Sequence, residues 1–234
     1  MKVSKVLSDL AFGKLSNQSM AEAGDGTINV RYHPKLINCM NEALIRLYTR
    51  FIIKEKDLTL ELVESITNYH LLKRFAESNQ PQPDVEFAYI KDLDCEAFQE
   101  DVLKVLAVYG NDGRRVPLND PESCTSVFTP QENILQAFPQ ESGVFLGVQY
   151  QAKHPELTVG DLDQEVDIPP SLYPAFLSYI AYMVFSDMGS QDAIGRAQEH
   201  MAVYESICSE AETRDILSTS LSNTNVRFSR RGWV

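Results

Sequence analysis

Seven of the eleven prolines, Pro81, Pro83, Pro117, Pro121, Pro130, Pro139 and Pro155, fall in the middle of the chain, and no other feature limits its fold as strongly. Each removes a backbone donor and crowds the preceding helical turn, so no long helix can cross residues 81–155. Helices are confined to the two ends. Between them the prolines predict short strands and loops.

The hydrophobic periodicity agrees. Val3, Val6, Leu7, Leu10 and Ala11 recur at helical spacing and stop near Gly13, and residues 16–29 then carry Ser, Asn, Gly and Asp suited to a surface loop. Pro34 suits the first turn of a second helix, whose face is Leu36, Met40, Ala43, Leu44, Leu47 and Phe51. The period then drops to two at Leu58, Leu60 and Leu62, and β-branched and aromatic residues follow over 65–69. An apolar run at 102–109, the turn Gly110-Asn111-Asp112-Gly113 and residues 114–118 predict a hairpin, and 144–151 predict a further strand.

Helix returns after Pro169-Pro170 with Leu172, Phe176, Tyr179, Ile180, Met183 and Val184. Ser190 is placed to cap a last helix carrying Ile194, Ala197, Met201, Tyr204 and Cys208, with Asp192 and Arg196 paired four residues apart. The expected class is α+β: N- and C-terminal helices in one bundle, a β-rich insertion and an extended C-terminal arm. The expected boundaries are 1–54, 55–165, 166–212 and 213–234.

A chain of 234 residues can bury about 70% of its unfolded surface, so it does not need metals or disulfides to fold. Its 21 basic and 33 acidic residues give a net charge of −12, which disfavours tight binding to phosphate backbones or anionic membranes. The apolar stretch at 175–185 is too short to span a bilayer. Cys39, Cys95, Cys124 and Cys208 show no CxxC spacing and are expected to be buried free thiols, and the first ten residues lack a signal-peptide core. Together these point to synthesis in a reducing cytoplasm.

No catalytic constellation emerges. His33, His70, His154 and His200 form no metal-ligand spacing, and there is no phosphate-binding glycine loop. Asp161, Asp163, Glu165 and Asp167 lack the glycine and terminal glutamate of a calcium loop and read instead as a solvated segment or an acidic wall. Arg114 and Arg115 beside the 110–113 turn read as a solvated hairpin tip. No cofactor, metal site or catalytic residue is expected. The last stretch is different: Arg227, Phe228, Arg230, Arg231, Trp233 and Val234 combine three of the 21 basic residues with the only tryptophan, the residue types that anchor interfaces.

The segments Val6-Leu7-Ser8-Asp9-Leu10-Ala11-Phe12-Gly13-Lys14-Leu15, Leu36-Ile37-Asn38-Cys39-Met40-Asn41-Glu42-Ala43-Leu44, Leu47-Tyr48-Thr49-Arg50-Phe51 and Val148-Gln149-Tyr150-Gln151-Ala152-Lys153-His154-Pro155 resemble head-to-tail adaptor proteins of short-tailed bacteriophages. So do Ile168-Pro169-Pro170-Ser171-Leu172-Tyr173-Pro174-Ala175, Tyr179-Ile180-Ala181-Tyr182 and Arg196-Ala197-Gln198-Glu199-His200-Met201.

The resemblance implies a virion protein forming a dodecameric ring beneath the portal, extending the DNA channel and carrying the tail. Implied partners are the portal ring, neighbouring adaptor subunits, a tail nozzle or tail tube protein, tail fibres, and double-stranded DNA in passage, with no membrane. Under this reading residues 227–234 bind the portal or an adjacent subunit, and Asp161, Asp163, Glu165 and Asp167 are candidates to face the channel. Another tail or baseplate ring component, a regulatory protein binding through Trp233 and a small cytoplasmic enzyme are the alternatives.

Overall fold

The computed structural model describes residues 1–21, 25–92, 96–138 and 143–214. It is a mixed α+β structure with four α-helices and two antiparallel sheets. The chain divides into two compact units, one made from Met1–Ile53 and the segment starting at His154, the other from Lys54–Lys153.

In the first unit, α1 (Val3–Phe12) buries Val3, Val6, Leu7, Leu10 and Ala11, the stripe its 3.6-residue period predicts. The N–H of Gly13 closes its last turn on Asp9 O at 3.0 Å. Helix α2 (His33–Arg50) has proline in its first turn, where the missing N–H costs nothing, and buries Leu36, Ile37, Met40, Ala43, Leu44, Leu47 and Tyr48. Helix α3 (Tyr173–Ser186) also starts on a proline and packs against α2, α1 and α4 (Gln191–Thr213). The Ser190 side chain accepts from Ala193 N–H at 3.2 Å, so α4 begins on a side-chain cap.

Ile194 departs from the expected face of α4. It is 46% exposed, while Ala193, Ala197, Tyr204, Cys208 and Ala211 form the buried stripe. Alanines at the contact let two backbones approach closely, so the apolar seam runs one residue earlier than side-chain size suggests.

The segment from residue 154 to 168 also belongs with the helices, although the proline pattern extends the β region to 165. Backbone hydrogen bonds from Val3 to Gln164 (3.1 Å) and Ser4 to Leu162 (2.9 Å) lay it against the N-terminus. The Asn41 side chain both donates to Leu157 O (3.0 Å) and accepts from Leu157 N–H (2.9 Å). Beside it, Tyr48 donates to Asp167 O at 2.6 Å and packs edge-on against the His154 ring.

In the second unit, β1 (Glu55–Leu62), β3 (Ile90–Lys91), β4 (Val102–Tyr109), β5 (Arg115–Val116) and β8 (Val144–Ala152) form a five-stranded sheet in the order β3-β1-β8-β4-β5. Strands β1 and β8 pair without interruption from Glu55 and Gln151 to Leu62 and Val144, whereas β4 and β8 shift register twice. Leu58, Leu60 and Leu62 all point into the core, as their alternation predicts. The β4–β5 turn places Gly113 at φ +72°, a conformation only glycine adopts freely.

A second sheet, in the order β2-β7-β6, joins Asn68–His70, Ile134–Gln136 and Phe128–Gln131. Strand β6 carries Pro130 and lies at an edge, where a missing donor is tolerated.

Cys39 and Cys208 are buried free thiols, and burial pushes the Cys39 thiol up to about 11. Cys124 is exposed, against expectation: it sits in the 119–126 turn region, which has little apolar surface to cover a thiol. Cys95 lies outside the described residues. Among the described residues no helix is long and apolar enough to cross a membrane.

Candidate partner-binding surfaces

The acids at 161–167 sit on a short segment that turns at 162–163 and bridges to the N-terminus at Glu165. Its alternation buries Val166 and half-buries Leu162 and Gln164, and it turns Asp161, Asp163, Glu165 and Asp167 outward. Asp163 pairs with Lys2 at 2.8 Å, which holds its carboxyl below the usual carboxylate range and the Lys2 ammonium above its own. The Asp161 carboxylate accepts the Asp163 N–H at 3.1 Å, a local turn bond. Four outward acids on one segment repel phosphate and gather no ligand geometry. The arm residues Arg227, Phe228, Arg230, Arg231, Trp233 and Val234 lie outside the described residues.

The histidines are dispersed. His33 Nε2 lies 3.0 Å from Ile28 O, His70 stacks obliquely on Phe75, and His200 stacks on Phe185 with its ring centroid 5.4 Å away. Burial lowers the His200 imidazole below its ordinary value, with Lys14 and Arg196 acting in the same sense. His154 Nε2 accepts the Asp167 N–H at 3.0 Å, leaving Nδ1–H to donate to Pro155 O at 2.6 Å. Among the described residues, no group of three or more His, Cys, Asp and Glu side chains is arranged to hold a metal ion. The Arg114 guanidinium pairs with Asp112 at 3.4 Å and stays solvated.

On the helical unit, a groove of about 540 Å³ is lined by Glu42, Ile45, Arg46, Thr49, Arg50 and Tyr179. Five of these, at i, i+3, i+4, i+7 and i+8 of α2, form one helical face, and Tyr179 on α3 completes the wall. Ile45 is 60% exposed, an apolar residue on the solvent side of its helix. The Arg46 guanidinium stands 5.7 Å above the Tyr179 ring.

Arg50 is held from α4. Its Nε and Nη2 reach the two oxygens of Glu212 at 2.7 and 3.2 Å, and Nη1 reaches Glu205 at 2.6 Å. These bonds raise its pKa and fix the guanidinium as part of the groove wall. Behind it, the Tyr204 ring packs 5.1 Å from Tyr179, and its buried hydroxyl has no hydrogen-bond partner among the described residues. The signal for this groove was Ile45 itself, which lies off the Leu36, Met40, Ala43, Leu44 and Leu47 stripe.

The β unit carries a different apolar surface. Phe138, 55% exposed, borders a hollow of about 260 Å³ with Thr67, Ser126, Phe128, Gln136 and Ala137, and Phe145 is also exposed.

A second hollow in this unit, about 230 Å³, is lined by Glu55, Lys56, Asp57, Asp92, Glu96 and Phe98 among others. Lys56 pairs with Glu96 and, at 3.0 Å, with Asp101, whose other oxygen accepts from the Tyr150 hydroxyl at 3.0 Å. Lys56, Glu96, Asp101 and Tyr150 are thus joined to one another, as in a structural pin. No family model and no curated protein matches the chain.

Proposed function

We propose that this chain is a structural virion protein, a head-to-tail adaptor whose copies form a ring beneath the portal, continue the DNA channel and seat the tail. In this reading the N- and C-terminal helices make one bundle, the β unit is an insertion in it, and the assembled protein sits at the head–tail junction. The resemblance to short-tailed-phage adaptors supports this reading, and the distribution of exposed apolar surface is the observation that carries the physical argument.

A closed ring needs a heterologous interface, in which each subunit offers one patch to its left neighbour and an unlike one to its right. Two unlike patches are present in one chain: the α2–α3 groove with Ile45 and Tyr179, and the β-unit surface with Phe138 and Phe145. Exposed apolar surface of this kind marks contact sites. The outward acids at 161–167 suit a wall past which DNA moves without adhering, because no counterion-releasing contacts are offered.

The test is sedimentation of the purified protein with and without the portal ring of the phage that encodes it. Saturable co-sedimentation at one subunit per portal protomer is expected, giving twelve copies on a twelve-fold portal. No association would overturn the reading.

A further inference from the structure

We propose that copies of this chain join edge to edge through the five-stranded sheet, residues 84–88 of one copy adding as a strand along the open edge of β4 in the next. The contact goes beyond the ring reading and does not rest on it, since a head-to-tail contact builds a filament as readily as a ring.

The open edge follows from one proline. Strand β5 pairs with β4 only at Val108–Val116 and Tyr109–Arg115, and the next residue, Pro117, has no N–H to continue the ladder. The chain turns away instead: the Pro117 carbonyl accepts the Val127 N–H at 2.9 Å, and Leu118 bridges to Val127. Residues 102–107 of β4 are therefore paired with β8 on one side and, among the described residues, with no strand on the other. The Leu106 carbonyl shows the consequence, because it accepts the Arg115 side chain at 3.3 Å in place of a backbone N–H. Unpaired edge groups of this kind are a template for an added strand.

Charge selects what can add. Lys104 lies opposite Gln151 of β8, and Arg115 lies opposite Tyr109, itself opposite Gly147. Gln151 and Gly147 are four apart on one strand, so both bases stand on the same face of the sheet, away from core residues Val105, Val108 and Val148. Both are exposed, and among the described residues neither pairs with a carboxylate. Two such basic edges repel, so β4 does not pair with β4. In a chain of net charge −12, contact between copies is favoured where opposite charges face each other.

Residues 84–88 supply the complement. Asp84-Val85-Glu86-Phe87-Ala88 alternates acidic and apolar residues, the period of a strand, yet it lies in no strand and runs from a turn at 83–84 towards β3. Asp84 and Glu86 are exposed, Phe87 is 41% exposed, and among the described residues neither acid is paired. Laid antiparallel with Glu86 beside Lys104, the segment brings Asp84 beside Leu106. There its backbone takes over the Leu106 carbonyl and leaves the Arg115 guanidinium facing Asp84. Because 84–88 lead into β3 at the far edge of the same sheet, β4 of one copy continues into β3-β1-β8-β4 of the next, unlike edge to unlike edge.

The full-length chain without portal tests this. Sedimentation should show concentration-dependent association below about millimolar, and hydrogen exchange should slow at the amides of 84–88 and 102–107 as copies associate. Lys104→Glu and Glu86→Lys, at exposed positions that leave the fold intact by circular dichroism, should each weaken association about ten-fold or more. Mixing the two variants restores opposite charge wherever unlike copies meet, so association should return.

A parent chain that stays monomeric up to that concentration overturns the proposal. So does association that neither reversal weakens, a mixture no better than either variant alone, or exchange protection that leaves 102–107 untouched. No portal takes part, so failure here leaves the ring reading to its own co-sedimentation test, and loss of portal binding leaves this result untouched.

Discussion

The Lys56 ammonium lies 3.0 Å from Asp101 Oδ2, while Asp101 Oδ1 accepts the Tyr150 hydroxyl at 3.0 Å. One carboxylate, 7% exposed, thus joins β1 to β8 from the start of β4. The Tyr150 phenol is pushed well above its ordinary range, first by burial and then by the Asp101 charge. Removing Asp101 leaves the buried Tyr150 hydroxyl without its acceptor and the Lys56 ammonium with Glu96 alone, which costs more than the intact pair contributes. Asp101→Ala is expected to lose about 3 kcal/mol of stability in denaturant unfolding. The double variant Asp101→Ala, Lys56→Met should recover part of it, and a simple sum of the two single losses would refute the coupling.

His200 supplies a pH dependence with a defined sign. Its folded-state pKa is depressed, chiefly by burial, so above the unfolded value of about 6.5 both states are neutral and nothing is lost. Below that pH the unfolded chain takes up a proton that the folded chain resists, and stability falls until the folded pKa is passed. His200→Gln should flatten the thermal-unfolding midpoint against pH over this window relative to the parent. Parallel curves would show that His200 is not responsible.

Much of the architecture is written in local chemistry. Pro34 and Pro174 mark helix starts, Ser190 caps α4, and Leu58, Leu60 and Leu62 declare the inward face of β1. What escapes a linear reading is long-range: Asn41 clasps Leu157 across 116 positions, which assigns residues 154–165 to the helices against the proline pattern. Lys56 shares the even phase of the three leucines, a visible hint of an inward lysine, yet its partner Asp101 is 45 positions away. The groove was half legible, since Ile45 could be seen off its stripe, whereas the clamp of Arg50 by Glu205 and Glu212 needs α4 folded alongside α2.

Gly26 tests steric fit against backbone strain. It sits at φ +71°, and a Cβ built there would meet Phe12 Cε2 at 1.9 Å. Phe12 is largely exposed, so its ring can swing aside easily, and the left-handed backbone outweighs the ring contact. Gly26→Ala is therefore expected to cost about 1–2 kcal/mol by chemical denaturation. Adding Phe12→Ala should not relieve that loss, and full relief would show that the ring contact dominates.

Helix α4 depends on its first turn. Ser190 satisfies the Ala193 N–H that would otherwise be an orphan, and Asp192 adds negative charge at the positive end of the helix. Ser190→Ala should cost about 1 kcal/mol, and Ser190→Asp, which keeps the acceptor, should lie within a few tenths of the parent. Equal losses for the two would mean that the hydroxyl fits its site by shape and not by capping.

The proposed ring, in which residues 161–167 face a DNA channel, makes a prediction about the acidic segment. Asp163 is tied to Lys2 and helps hold the segment on the N-terminus, so it is left in place, whereas Asp161 and Glu165 face outward and can be reversed without cutting that tether. Asp161→Lys with Glu165→Lys changes the net charge from −12 to −8, still acidic overall, so a gain in DNA affinity would come from local placement and not from bulk charge. In a ring the change repeats in every subunit around one circumference. Rings carrying both reversals are expected to retain double-stranded DNA with an affinity that falls steeply with salt, the signature of counterion release, whereas parental rings should not retain it. Equal retention by the two rings across the salt series would remove residues 161–167 from the channel wall.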